Sequence, residues 1–183
     1  MSVHLVFEKK TDTFLKRAVK QLTGPYVHTE IILTTAHDEV PHIRRRAYSA
    51  YIDYVFCCTN EKAFQFADET HDFLQVTVSA EDVELIRQTC ETHAQLETPY
   101  NLKDMLLSII PLRAPKEKTI FEAKSLFCSQ AMVLILRGCL PPEHPVIKAL
   151  KDVNSRTISP AHLFTVLSPV CERAFAKQVV RRI

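Results

Sequence analysis

The sequence predicts an α+β protein whose antiparallel sheet packs on one central, cysteine-bearing helix. Strand-like segments concentrate in the first 78 residues, ahead of a series of helix-periodic segments. Residues 125–138, Ser-Leu-Phe-Cys-Ser-Gln-Ala-Met-Val-Leu-Ile-Leu-Arg-Gly, are apolar almost all round, as a buried helix is. The order is strand, helix, hairpin strands, helices, central helix, small helices, which is an α+β order.

Ser2 to Glu8 alternate enough for a first strand. Thr11 or Asp12 is placed to cap a helix carrying Phe14, Leu15, Ala18, Val19 and Leu22, ended by Thr23-Gly24-Pro25. Tyr26 to Thr35 read as a buried strand, with His28 near its start and Glu30 on the same face two residues on. Ala36 to Pro41 make a polar turn. Residues 45–58 are rich in strand formers and are expected to pair back on the preceding strand. Residues 60–72 fit a loop or a short helix equally, and Phe73 to Val78 make another strand.

Ser79-Ala80-Glu81-Asp82 resembles a capping box and opens a helix with an inner stripe of Val83, Ile86, Cys90 and Ala94. Pro99 breaks it. Asn101 can cap the next helix, which carries Leu102, Met105, Leu106, Ile109 and Ile110 and stops at Pro111. A basic loop, Arg113 to Lys118, leads to the central helix, for which Ser125 is the expected N-cap and Gly138 with Pro141-Pro142 the stop. A short helix around Val146 to Leu150, a polar loop at 152–158 and a last helix from Ser159-Pro160 through Leu163, Phe164 and Leu167 complete the chain.

Composition removes several functions. With 183 residues, 46% hydrophobic and 24% charged, the chain has ordinary globular composition. A net charge of +2 gives no support for a nucleic-acid surface, and Arg44-Arg45-Arg46 reads as the solvated start of a strand. No apolar run approaches the roughly 20 residues that span a bilayer. The N-terminal segment does not read as a signal peptide. Two glycines leave no Gly-rich phosphate loop. Six scattered cysteines, at 57, 58, 90, 128, 139 and 171, suit reduced thiols in the cytoplasm. Neither they nor the eight dispersed histidines have metal-ligand spacing, so no metal and no cofactor are expected.

If Ser125 caps the central helix, Cys128 falls at its third position, where unsatisfied N–H groups and the helix dipole favour a thiolate. The alternative is one more small apolar residue in a core helix. A thiolate nucleophile needs a base, usually His. His37, His42, His71 and His144 lie in polar surroundings and read as solvated, whereas His28 opens an apolar strand. The Tyr and Phe side chains of residues 48–73 are either core or the lining of an acyl groove.

Leu22-Thr23-Gly24-Pro25-Tyr26-Val27-His28-Thr29-Glu30-Ile31-Ile32-Leu33 resembles the His signature of circularly permuted NlpC-like papain-fold proteins, where the His strand precedes the Cys helix. Phe127-Cys128-Ser129-Gln130 is similar to that family's (F/Y)-C-S-E nucleophile motif. Val3-His4-Leu5-Val6-Phe7 stands where the family has Gly-Asp-Ile-Val-Phe. Tyr100-Asn101 and Ser159-Pro160 fall near its Tyr-(Asn/Asp) and (Ser/Thr)-Pro positions. The set looks closer to viral, poxvirus-type branches than to bacterial cell-wall enzymes.

The resemblance implies a single permuted papain-like domain over residues 1–183, and a thiol hydrolase or acyltransferase acting on an amide, ester or isopeptide bond. His28 would take the proton of Cys128. The third residue would fall near Ser49, with Glu30 and the more distant Asp53 as alternatives. Gln130 in place of Glu and the missing Gly-Asp depart from the pattern. The implied partner is a peptide, lipid or ubiquitin-like substrate, met in the cytoplasm of an infected cell or in a virion if the protein is viral. Other readings are a deubiquitinase- or desumoylase-like isopeptidase, an inactive papain-fold module with a lipid or peptide groove, and a virion scaffold.

Overall fold

Strand β1 (Ser2–Glu8) lies inside the sheet because both its faces are apolar, and every residue from Val3 to Phe7 is buried. The computed structural model describes residues 1–11, 13–35, 44–50, 56–60, 66–109 and 118–176. Six strands form one antiparallel sheet in the order β4-β3-β2-β1-β5-β6. They are β1, β2 (His28–Thr35), β3 (Arg44–Ala50), β4 (Phe56–Asn60), β5 (His71–Thr77) and β6 (Glu172–Ala174). The helices are α1 (Phe14–Thr23), α2 (Ala80–Gln95), α3 (Leu102–Ile109), α4 (Cys128–Cys139), α5 (Pro145–Leu150) and α6 (Pro160–Leu167), with a 3-10 turn at Ile120–Glu122. The α+β order read from the sequence is observed, with one further strand, β6, after the last helix.

Register follows the pleat. Leu5 sits opposite Ile31 on one side and Leu74 on the other, and Val3 opposite Leu33 and Val76. These residues form the main core with Ile86 of α2, Met132 to Leu136 of α4, Leu150 of α5 and Leu163 and Leu167 of α6. The alternate residues Val6, Ile32, Phe73 and Ala174 make a smaller cluster on the other face. Each fully buried aliphatic side chain contributes about 1.5–3 kcal/mol by leaving water. Tyr48 and Phe73 are 1% and 2% exposed, so these two aromatics are core.

Helix α4 is the central helix, with every residue from Cys128 to Leu136 buried. Its last turn lies so close to the 3-10 turn that a Cβ on Gly138 would stand 2.8 Å from Ile120 Cγ2. Glycine is needed there for approach, not as a stop: the helix runs on to Cys139. The Ser79–Asp82 capping box forms as read, and Ser159 caps α6.

Other expectations are corrected. Helix α1 is capped by Thr13, whose Oγ1 accepts from Lys16 N at 3.2 Å, and not by Thr11. The strand-forming stretch 45–58 pairs back on β2 through β3, as expected, and also supplies most of β4, which pairs with β3. Strand β6, three residues long, has too little pattern to be read. On α2, Thr89 and His93 are buried, whereas Ala94 is only partly so. His71 is half-buried rather than fully solvated: its ring stands edge-on to Phe66 at 5.0 Å, and Thr70 Oγ1 lies 2.9 Å from Nδ1. His144 is the N-cap of α5 and reaches the Thr77 carbonyl at 3.0 Å. Asp12, the 36–41 turn, His37, His42, Asp53, Ile110, Pro111 and nearly all of the 113–118 loop lie outside the described residues.

Candidate active site

The site forms where the N-terminus of α4 meets the start of β2. The helix begins later than Ser125. Leu126 is held in a bridge with Tyr100, its N–H bonding the Pro99 carbonyl at 2.9 Å and its carbonyl accepting Asn101 N at 2.9 Å. That pairing keeps residue 126 extended, so Phe127 is the N-cap and Cys128 the first helical residue rather than the third. The thiol is still in the first turn, where N–H groups have no intrahelical acceptor.

Cys128 and His28 meet. The thiol is hydrogen-bonded to the His28 side chain and accepts from the backbone N–H groups of Thr29 and Ser129. Burial alone pushes the Cys128 thiol up, but the His28 charge, the His28 hydrogen bond and the two N–H groups together bring it below its ordinary value. Burial likewise opposes a charged His28. The Cys128 charge and hydrogen bond, with Glu30 beside them, outweigh that and raise the imidazole well above its usual range. Each partner therefore favours the charged form of the other, a thiolate with an imidazolium.

Ser49 decides the ring's orientation. Register puts it on the same face of the sheet as His28 and Glu30, because Ile31 sits opposite Tyr48. Its Oγ lies 3.0 Å from His28 Nε2 and donates to the Thr29 carbonyl at 2.6 Å. A hydroxyl has one proton, and a carbonyl can only accept. The proton is committed to Thr29, so Oγ accepts from Nε2–H. This fixes the tautomer and assigns Nδ1 to the thiol. Glu30 Oε1 stands 3.6 Å from Nε2, too far for a good hydrogen bond, and acts through its charge. Of the residues singled out by sequence, Cys128, His28, Ser49 and Glu30 come together; Asp53 lies outside the described residues.

A second set of residues holds the helix end in place. Gln130 Oε1 accepts the Phe127 N–H at 3.4 Å, and its amide donates to Asp104 Oδ2 at 3.4 Å. Arg156 forks onto Asp104, Nε to Oδ2 at 2.6 Å and Nη2 to Oδ1 at 2.8 Å, and Asn101 Nδ2 adds a bond at 2.9 Å. Ser129 Oγ donates to the Ile158 carbonyl at 2.7 Å. Gln130 thus links the N-cap of α4 to Asp104. Sequence reading missed Asp104 and Arg156; the one signal was an acid at the inner position beside Met105, while its partner lies 52 residues away. Tyr100, half-buried, packs in the cluster of Val19, Val27, Met105, Phe127 and Cys128.

Comparison with protein-family models, with curated proteins and with solved structures finds no match to this chain. Among the described residues no group of His, Cys, Asp and Glu is placed to hold a metal ion, and no helix is long and apolar enough to cross a membrane.

Proposed function

We propose that the chain is a thiol hydrolase or acyltransferase of permuted papain-like fold, of the viral NlpC-like kind its motifs resemble. The bond it cleaves is an amide, ester or isopeptide. The observation that carries this reading is the Cys128 thiol at a helix N-terminus, hydrogen-bonded to an imidazole whose other nitrogen is held by Ser49.

The thiolate attacks the substrate carbonyl carbon, and negative charge moves to its oxygen. Backbone N–H groups of the first turn of α4, Cys128 among them, are the available oxyanion donors. The His28 imidazolium then gives its proton to the leaving amine or alcohol as the C–N or C–O bond breaks, leaving a thioester. Neutral His28, its Nε2–H held on Ser49, takes a proton from water or another acceptor, which attacks the thioester and frees Cys128.

The test is iodoacetamide alkylation of each cysteine against pH, read by mass spectrometry, on wild type and His28→Ala. Cys128 is expected to react well below the free-thiol pKa of about 8.5, and His28→Ala to remove that advantage. An inert Cys128, or one indifferent to His28, overturns the reading. One observation favours a second reading, a papain-fold binding module without turnover: Cys128 is only 5% exposed and His28 7%. A reactive thiol with no turnover on amide, ester or ubiquitin-like substrates would select the module.

A further inference from the structure

Helix α1 has apolar residues Phe14, Leu15, Ala18, Val19 and Leu22, basic residues Lys16, Arg17 and Lys20, and no acidic residue. Only part of the apolar side is covered. Val19 is 7% exposed and packs in the cluster that holds Cys128, and Lys16 turns back to Glu8 at 2.9 Å. Phe14, however, is 88% exposed and Leu22 66%. With Ala18 they stand at i, i+4 and i+8, one row along the helix, and Arg17 at i+3 from Phe14 lies beside that row. Arg17 and Lys20 are both exposed.

Helix α3 repeats the arrangement. Met105 packs near Cys128, while Leu102 and Leu106, one turn apart, are 49% and 46% exposed, with exposed Lys103 between them. The two helices are neighbours: Leu22 of α1 and Leu107, Ser108 and Ile109 of α3 line one open cavity of about 470 Å³. Each of these two neighbouring helices, whose inner sides pack in the cluster of Cys128, therefore exposes apolar residues next to exposed cations.

We propose that α1 and the outer row of α3 form a docking surface for an anionic lipid bilayer. Phe14, Leu22, Leu102 and Leu106 enter the boundary between headgroups and acyl chains, and Arg17, Lys20 and Lys103 meet lipid phosphates. A helix with cations on one side and Phe and Leu on the other lies in the plane of such an interface, held by buried apolar area and by attraction to anionic lipid. Charge argues against a second copy as the occupant: a two-fold contact places the same patch on both partners and brings Arg17 and Lys20 against their own equivalents.

The experiment is co-sedimentation of the full chain with vesicles of phosphatidylcholine alone and of phosphatidylcholine with phosphatidylserine, with light scattering on the free protein. The chain is expected to pellet with the anionic vesicles and not with the neutral ones. Arg17→Gln and Lys20→Gln should each weaken partitioning about fivefold. Phe14→Ser and Leu22→Ser should each weaken it about tenfold, and added salt should weaken it too. These side chains are exposed, so circular dichroism should show the variants folded. Cys128→Ser should bind like wild type, which separates this surface from the thiol chemistry. Absence of binding to anionic vesicles, binding indifferent to Phe14 and Arg17, or a dimer that Phe14→Ser dissolves, each overturns the proposal.

Discussion

Ser49 holds His28 through a proton it does not give to it: its hydroxyl donates to the Thr29 carbonyl at 2.6 Å and accepts from His28 Nε2 at 3.0 Å. The carboxylate or amide that orients an imidazole in many thiol sites is thus replaced by a hydroxyl whose direction the backbone sets. Strand β3 presents that hydroxyl to His28 at a fixed register.

Ser49→Ala should leave the fold intact and loosen the imidazole. A hydrogen bond to a charged partner contributes about 1.5–3 kcal/mol. Alkylation of Cys128 at neutral pH should therefore slow by about tenfold or more, while Ser49→Thr, which keeps the hydroxyl, should restore part of the rate.

The pH dependence follows from the directions of the two shifts. Cys128 is lowered and His28 raised, so the thiolate–imidazolium pair forms as pH rises through the lowered thiol value and is lost as pH rises through the raised imidazole value. Turnover should follow a bell whose acid limb belongs mainly to the thiol and whose basic limb belongs mainly to the imidazole. Glu30→Gln removes a charge that supports the imidazolium and should move the basic limb to lower pH. A basic limb that does not move would remove Glu30 from the site's electrostatics.

Asp104→Ala should unseat the helix end without touching the thiol. Asp104 is 1% exposed and takes the fork of Arg156. Removing one partner of such a pair leaves the other charge poorly compensated, a loss of about 3–5 kcal/mol when both are buried. Arg156 is 18% exposed, so the lower end of that range is expected in urea unfolding. The paired change Asp104→Ala with Arg156→Met should cost less than Asp104→Ala alone.

Gly24→Ala tests the turn between α1 and β2. Gly24 has φ +112°, and a Cβ there would stand 3.0 Å from Ala161 Cβ. Backbone strain of this kind costs about 1–3 kcal/mol. A lowered urea midpoint with an unchanged slope is the expected result.

Local pattern was enough for much of this protein. Alternation placed β1, a short strand-like segment marked β5, a capping box placed α2, and an all-round apolar run identified α4 as the buried helix, because each signal lies within one segment. It also marked His28, as a polar residue opening an apolar strand, and Cys128, as a thiol beside a helix start. Tertiary structure decided what depends on distant segments. The pairing of Leu126 with Pro99 and Asn101 delayed the start of α4, the alignment of β2 with β3 brought Ser49 to His28, and the fork from Arg156 fixed Asp104. The outward rows of α1 and α3 belong to the same category. Periodicity reports that a helix has an apolar side; which residues on that side are covered depends on the breadth of the neighbour that packs against it.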